Sequence, residues 1–163
     1  MRILGIDPGY AIVGYGIIEN ENGKLKPLGY GAIETTPDMT TPNRLISIEK
    51  QVTELILEVQ PDEIAVEELF FNTNITTGIK VAQARGVVLL ACAKLCGNLF
   101  EYTPLQIKST VTGNGTASKQ QVQYMVRSML RLKETPRPDD AADALAAAIC
   151  HALNAQGIKR GLK

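Results

Sequence analysis

The 163-residue chain is 45% hydrophobic and 21% charged, with no apolar run near the ~20 residues of a bilayer span, which predicts one soluble globular domain. Its net charge is zero, but residues 1–75 carry 12 acidic and five basic side chains, whereas residues 76–137 carry two acidic and nine basic ones. This asymmetry favours a polyanionic partner, although solvated helix faces account for it equally well.

Sulfur-based and imidazole-based chemistry is disfavoured. Cys92, Cys96 and Cys150 fall in apolar helical segments without a C-x-x-C pair. The single histidine, His151, cannot complete a zinc ligand set with them. An odd number of buried thiols and an N-terminus without a signal-peptide pattern lead us to expect a cytoplasmic protein.

The first predicted element is a short apolar run, residues 3–6, closed by Asp7-Pro8-Gly9. Such a run, bounded by residues that break secondary structure, predicts a strand buried on both faces. Asp7 would then project at the carboxyl edge of the sheet, where open α/β sheets bind ligands. Taken alone, the same tripeptide also marks an ordinary turn.

Two further strands and a helix follow. Residues 11–18 are rich in β-branched and aromatic side chains, and Asn22-Gly23 is a strong hairpin signal before residues 24–35. We therefore predict three antiparallel strands with the first one central. Thr41-Pro42 predicts a helix start, with Thr41 as the N-cap, and the helix ends at Gln60-Pro61.

Residues 63–68 predict a fourth strand that lies parallel to the first, because a helix connects the two. Asp7 and either Glu67 or Glu68 would then stand at neighbouring strand ends, ~5 Å apart. Because side chains alternate along a strand, only one of the two glutamates faces the same side as Asp7. The strand pattern does not distinguish them.

The helix predicted over residues 76–96 is apolar around nearly its whole circumference. A helix of that kind is buried on all sides. In a chain of this length, one face would pack on the sheet and the other would meet a second copy, so we expect a twofold homodimer.

The remaining elements are a fifth strand at residues 99–102, a short helix at 106–112, a helix opened by Ser118-Lys119 and a last helix from about residue 138. Helix-start amides beside Lys119 could bind phosphate, or Lys119 could be a plain surface lysine. Residues 158–163 predict a basic flexible tail.

The last helix carries three aspartates. Asp139 or Asp140 is explained as an N-cap at the positive end of the helix. Asp143 is not, because it lies among Ala and Leu residues, where a carboxylate is costly unless it is paired or binds a cation. Our hypothesis is that Asp143 binds metal, and a buried salt bridge is the alternative.

Carboxylates gathered at one sheet edge repel each other unless cations neutralise them. Oxygen-only ligands select Mg²⁺ or Mn²⁺. Two such ions ~4 Å apart suit phosphodiester hydrolysis, with the basic middle segment positioning phosphates.

Four segments follow one another in chain order: Ile3-Leu4-Gly5-Ile6-Asp7-Pro8-Gly9, Ala65-Val66-Glu67-Glu68-Leu69-Phe70, Gln83-Ala84-Arg85-Gly86 and Asp140-Ala141-Ala142-Asp143-Ala144-Leu145-Ala146. Together they resemble the RuvC family, the bacterial Holliday junction resolvases. The resemblance implies an α/β ribonuclease H-like fold with a five-stranded mixed sheet, strands 1–3 antiparallel and 4–5 parallel to strand 1, and helices on both faces. It implies a single nuclease domain over residues 1–157.

The resemblance also implies function. Asp7, Glu67, Asp140 and Asp143 would be catalytic and would bind two Mg²⁺ ions, with Mn²⁺ as a possible substitute. A homodimer would nick two strands of like polarity in a four-way DNA junction, leaving 5′-phosphate and 3′-hydroxyl ends during recombination and DNA repair. Phe70 would stack near the junction centre, and Lys108 and Lys119 would face the DNA backbone. The implied partners are RuvA- and RuvB-type branch-migration proteins.

Two positions depart from the family pattern, and three other functions compete. Many members have His at the position of Asp140, and Val13 replaces a frequent threonine. A sugar-kinase or actin-like phosphotransferase would share the strand signals but needs a second domain. A non-catalytic junction-binding module need not keep four acids. The third is another nuclease of the same fold, acting on RNA–DNA hybrids or transposon ends, and against it Phe70-Phe71 and the apolar helix around Val87 favour the dimeric junction enzyme.

Overall fold

The computed structural model describes residues 1–68 and 75–161, with side chains described up to residue 155 apart from residues 75–77. The elements in chain order are β1 (Arg2–Asp7), β2 (Ile12–Glu21), β3 (Lys24–Glu34), α1 (Thr41–Val59), β4 (Glu63–Glu67), α2 (Ile75–Leu95), β5 (Leu99–Tyr102), α3 (Pro104–Thr112), α4 (Lys119–Met129) and α5 (Asp139–Gly161).

The strands form one five-stranded sheet in the order β3-β2-β1-β4-β5. β1 pairs antiparallel with β2 and parallel with β4, and β4 pairs parallel with β5. The predicted mixed sheet with a central first strand is therefore confirmed.

Helices cover both faces of this sheet, as expected. Strands β1 and β4 alternate strictly between the two layers. Leu4, Ile6, Ile64 and Val66 point towards α1 and α2. Ile3 and Ala65 point the other way, into the core formed with α3, α4 and α5. Because the period is two residues, the next side chains on the α5 side are those of Asp7 and Glu67.

The start of α1 differs by one residue from the expected position. Thr40, not Thr41, is the N-cap, and its side chain accepts a hydrogen bond from the Asn43 amide. Thr41 Oγ1 is instead hydrogen-bonded to Tyr10 Oη at 2.7 Å. The sequence does not show which of the two adjacent threonines is the N-cap. Because the Thr41 side chain is engaged by Tyr10, Thr40 takes that role. The predicted end holds, because Gln60 adopts the left-handed conformation with φ 47°.

Within the single chain, helix α2 is packed on one face only, as expected, and burial of its other face by a second copy stays a prediction. Ala84, Val88 and Cys92 are fully buried, whereas Ile79 is 56% exposed and Leu90 is 54% exposed. The helix has one packed face and one apolar face in solvent.

Helix α5 continues to Gly161, so residues 158–161, expected to belong to a flexible tail, are helical. Among the described residues, no helix combines the length and the apolar composition needed to cross a bilayer.

Candidate active site

Asp7 and Glu67 end the two central parallel strands side by side. The register pairs Ile6 with Val66, so the next residue on each strand is the acidic one. Both carboxylates point to the α5 side of the sheet, and Glu68, one residue beyond the end of β4, lines the same cleft. The register of the two strands therefore pairs Glu67 with Asp7.

Glycines on the sheet bring α5 into backbone contact with the strands. A Cβ atom at Gly5 would lie 2.0 Å from the carbonyl oxygen of Ala144, and one at Gly16 would lie 2.6 Å from the side chain of Leu145. These distances are shorter than any van der Waals contact, so only glycine permits the packing. The helix therefore carries Asp140 and Asp143 to the sheet edge at Asp7.

The acidic side chains are close enough to perturb one another. Burial, then the charges of Asp143 and Asp140, raises the pKa of Asp7 to about 7. Burial, then the charges of Asp7 and Asp143, raises the pKa of Glu67 to about 8. Burial likewise raises the pKa of Asp143. Residues far apart in sequence thus form one electrostatically coupled group.

Lys119 inserts its ammonium among these acids. Ser118 caps α4 through a reciprocal capping box with Gln121, which fixes the helix start and the lysine after it. Lys119 Nζ lies 3.0 Å from Asp143 Oδ2 and 3.6 Å from Asp139 Oδ2. The salt bridge weighed as the alternative for Asp143 is therefore present, with the lysine as its partner.

Asp139 stands at the solvent-facing side of the group. It pairs with Arg137 as well as with Lys119. Although burial acts against it, the charges of these two cations lower the pKa of Asp139. The ion pairs with Arg137 and Lys119 therefore explain how the charge of the Asp139 carboxylate is stabilised.

An open cleft of about 720 Å³ runs along the acidic edge. Its lining includes Asp7, Glu67 and Asp143 together with Lys108 from α3, whose charge lowers the pKa of Glu67. An open cleft that is lined by carboxylates and by a lysine can receive a phosphodiester backbone together with cations.

The donor set fits a hard divalent cation, because it offers carboxylate oxygens alone. In the part of the chain that the structure describes, no three acidic, histidine or cysteine side chains stand close enough to enclose one metal ion. Asp143 is held by Lys119, whose ammonium stands in for a cation at that carboxylate.

Phe70 belongs to residues 69–74, which lie outside the described residues, so its DNA contact stays a prediction.

His151, considered in sequence only as a zinc ligand, is buried at the centre of a hydrogen-bond chain. Its Nδ1 pairs with Tyr102 Oη at 2.7 Å and its Nε2 with Glu63 Oε2 at 2.6 Å. No spacing rule in the sequence connects these three residues.

Comparison with known proteins gives consistent matches. The family model described as crossover junction endodeoxyribonuclease RuvC matches residues 3–151. The RuvC protein of Alkaliphilus metalliredigens is 56% identical over 152 residues, covering 93% of each chain. That of Clostridioides difficile is 56% identical over 152 residues, covering 93% of this chain and 90% of the relative.

Solved structures agree. T. thermophilus RuvC in complex with a Holliday junction substrate superposes with a TM-score of 0.90 at 37% identity, covering 96% of both chains. The yeast mitochondrial resolvase Ydc2 shares the fold, with a TM-score of 0.72 at 16% identity over 97% of this chain and 82% of the other. From a family match over nearly its whole length and relatives above half identity, this chain belongs to the RuvC family of crossover junction endodeoxyribonucleases.

Proposed function

We propose that this chain is a structure-selective endonuclease that resolves four-way DNA junctions. The observation that carries the proposal is the convergence of Asp7, Glu67 and Asp143 from three separate elements on one cleft, where burial and then neighbouring acidic charges raise the pKa values of Asp7 and Glu67. Buried carboxylates that repel one another are costly for folding, so their presence points to a function that needs them. The names of the RuvC relatives supply the substrate class.

The site would work with divalent cations, Mg²⁺ or Mn²⁺, two for each active site, held by Asp7, Glu67, Asp140 and Asp143. When bound, such ions supply Lewis-acid stabilisation of the charge on the reacting phosphodiester. The carboxylates of Asp7 and Glu67 must first lose their protons, because a protonated acid is a poor ligand.

The basic side chains position the DNA. Lys108 and Lys119 line a smaller pocket that shares Glu67 and Asp143 with the cleft. An ammonium there can contact the phosphate next to the bond that is cut. Phe70 would stack on a base at the junction centre.

A dimer would supply two such sites. The exposed face of α2 presents Ile79, Gly86 and Leu90 at spacings of seven and four residues, which places them along one stripe of the helix. A second copy packed on this stripe would bury it and set two clefts in fixed relation. Each cleft would nick one of two strands of like polarity, leaving 5′-phosphate and 3′-hydroxyl ends. RuvA- and RuvB-type proteins would hold and migrate the junction.

The test compares a synthetic four-way junction with a linear duplex and an RNA–DNA hybrid, each with and without Mg²⁺. We expect only the junction to be cut, and only when Mg²⁺ is present. The cuts should lie at symmetric positions on two end-labelled strands. Ligase should reseal the products, because 5′-phosphate and 3′-hydroxyl ends are its substrates.

Two variants complete the test. Asp7→Asn and Glu67→Gln should bind the junction and fail to cut it, because each removes a metal-binding carboxylate and leaves the DNA contacts in place. Cutting by Asp7→Asn at the original rate would refute the assignment of the four acids. Junction binding without cutting by the unmodified protein would favour a non-catalytic module.

A further inference from the structure

The ammonium of Lys119 is shared between two carboxylates of α5. It lies 3.0 Å from Asp143 Oδ2, within hydrogen-bond distance, and 3.6 Å from Asp139 Oδ2. The Lys119 side chain is 49% exposed and that of Asp143 is 26% exposed. The ammonium is thus closer to Asp143 than to Asp139, and Asp143 is the more buried of these two acids. Asp143 also lines the cleft.

The Oδ2 atom of Asp143 cannot bind a divalent ion and the Lys119 ammonium equally well at the same time. A divalent ion on Oδ2 and an ammonium 3.0 Å from the same atom would repel each other at short range, and a partly buried cleft screens the repulsion less than bulk water does. The long, flexible lysine side chain can move away, whereas the carboxylate is fixed to the buried helix α5.

We propose that Lys119 is an internal counter-ion of Asp143, that a divalent cation displaces it, and that the released ammonium becomes available to a DNA phosphate. This inference rests on the proposed function, because it concerns the metal and the DNA of that same cleft. Lys119 thus has two partners at different stages, the carboxylate in the free protein and the phosphate in the complex.

The exchange couples two binding events. Metal binding frees a DNA contact, and DNA binding removes the lysine from a metal ligand. Each ligand therefore tightens the binding of the other by the same factor, as linkage requires. In the free protein the ion pair keeps metal affinity low.

Lys108 provides the internal comparison. It lines the same cleft beside Glu67, but within the described residues it has no carboxylate at ion-pair distance. Removing Lys108 takes away the same charge without releasing Asp143. Asp139 offers Lys119 a second acidic partner, which stabilises the displaced position.

The first experiment measures Mn²⁺ binding to the DNA-free protein by the electron paramagnetic resonance signal of free Mn²⁺. Lys119→Met should bind Mn²⁺ about fivefold more tightly than the unmodified protein, the size of a typical exposed ion pair, and Lys108→Met less than twofold more tightly. Equal affinities in all three proteins, or equal gains in both variants, would overturn the inference.

Asp7→Asn separates this failure from failure of the site itself. If Asp7→Asn weakens Mn²⁺ binding while the two lysine variants behave alike, the metal site stands and only the exchange is refuted. If Asp7→Asn binds Mn²⁺ as the unmodified protein does, the four acids are not the metal site, and the inference fails with them.

The second experiment measures junction affinity in EDTA. Asp143→Asn should bind the junction several-fold more tightly than Asp140→Asn, because both remove one negative charge from α5 but only the former releases Lys119. In a Lys119→Met background the two should bind equally. The same affinity for both aspartate variants when Lys119 is present would overturn the proposed exchange.

Discussion

The backbone of Gly14 on β2 lies directly against the backbone of Asp140 on α5. A Cβ atom at Gly14 would be 2.1 Å from the Asp140 carbonyl oxygen and 2.3 Å from its carbonyl carbon. Gly14 is also the antiparallel partner of Asp7. Of the glycine contacts between the sheet and α5, this one thus lies nearest the acids, and it sets the distance between Asp7 on the central strand and the acids on the helix.

Gly14→Ala should therefore separate the acids. The new methyl group meets backbone atoms that cannot rotate away, so the start of α5 must shift. A displacement of ~1 Å in a catalytic constellation can cost about 100-fold in rate, and we expect junction cutting to fall by about that factor. Junction binding should fall much less, because the lysines remain. Cleavage kinetics and gel-shift affinity measure the two effects.

Gly29→Ala on β3 is the matched control. Its added methyl group would meet only the end of the Ile17 side chain at 3.6 Å, an ordinary contact. This variant should cut at the original rate. If Gly14→Ala also cuts normally, the close approach does not set the active-site geometry.

The raised pKa values of Asp7 and Glu67 make stability depend on pH. Both groups bind protons more tightly in the folded chain, at about 7 and about 8, than in the unfolded chain. The folded state therefore holds more protons between about pH 4 and pH 8, and its free energy of unfolding falls as the pH rises through that window. In EDTA, the melting temperature should drop by several degrees from pH 5.5 to pH 8.5.

Asp7→Asn should flatten this pH dependence, because it removes one of the two titrating groups and one of the repelling charges. Mg²⁺ added at pH 8.5 should restore the melting temperature of the unmodified protein and leave that of Asp7→Asn nearly unchanged. A melting temperature that rises towards pH 8.5 in EDTA would contradict the assignment of raised pKa values.

The exposed stripe on α2 gives a test of the dimer. Leu90 is 54% exposed in the single chain, and a second copy packed on this stripe would cover it. Leu90→Asp should therefore shift the protein to a monomer in analytical ultracentrifugation and reduce paired nicking. Leu57→Asp is the control, because Leu57 is equally exposed, at 58%, on the neighbouring helix α1. Identical sedimentation of both variants and the unmodified protein would argue against this interface.

The sequence predicts the order of elements because strong local signals mark their ends. The run before Asp7, the Asn22-Gly23 turn and Gln60-Pro61 each identify a boundary that the structure confirms. What sequence leaves open depends on contacts between distant residues. Thr40 and Thr41 are equivalent until Tyr10 binds one of them, and Lys119 is an ordinary helix-start lysine until α5 places Asp143 beside it.

The candidate active site, too, depends partly on local signals and partly on contacts between distant residues. Alternation allows only one of Glu67 and Glu68 to face the same side as Asp7, and the register of β1 with β4 places Glu67 beside it. Gly14 and Gly16 read in sequence as part of a strand, with nothing to show that a helix backbone rests on them. These long-range contacts hold the site together, and they carry no periodic signal.

The buried His151 chain should stabilise the fold at a distance from the cleft. His151 joins α5 to Tyr102 on β5 and to Glu63 at the start of β4. Glu63 is four residues from Glu67, or about 13 Å along the strand.

Tyr102→Phe removes one hydrogen bond and should cost about 1 kcal/mol of the free energy of unfolding. His151→Leu strands both partners and should cost about 3 kcal/mol. Urea unfolding measures both, and junction cutting at 20 °C should change little in either variant, because the carboxylates and Lys119 stay in place. A loss of cutting in Tyr102→Phe without a loss of stability would instead place this chain of hydrogen bonds in the active site.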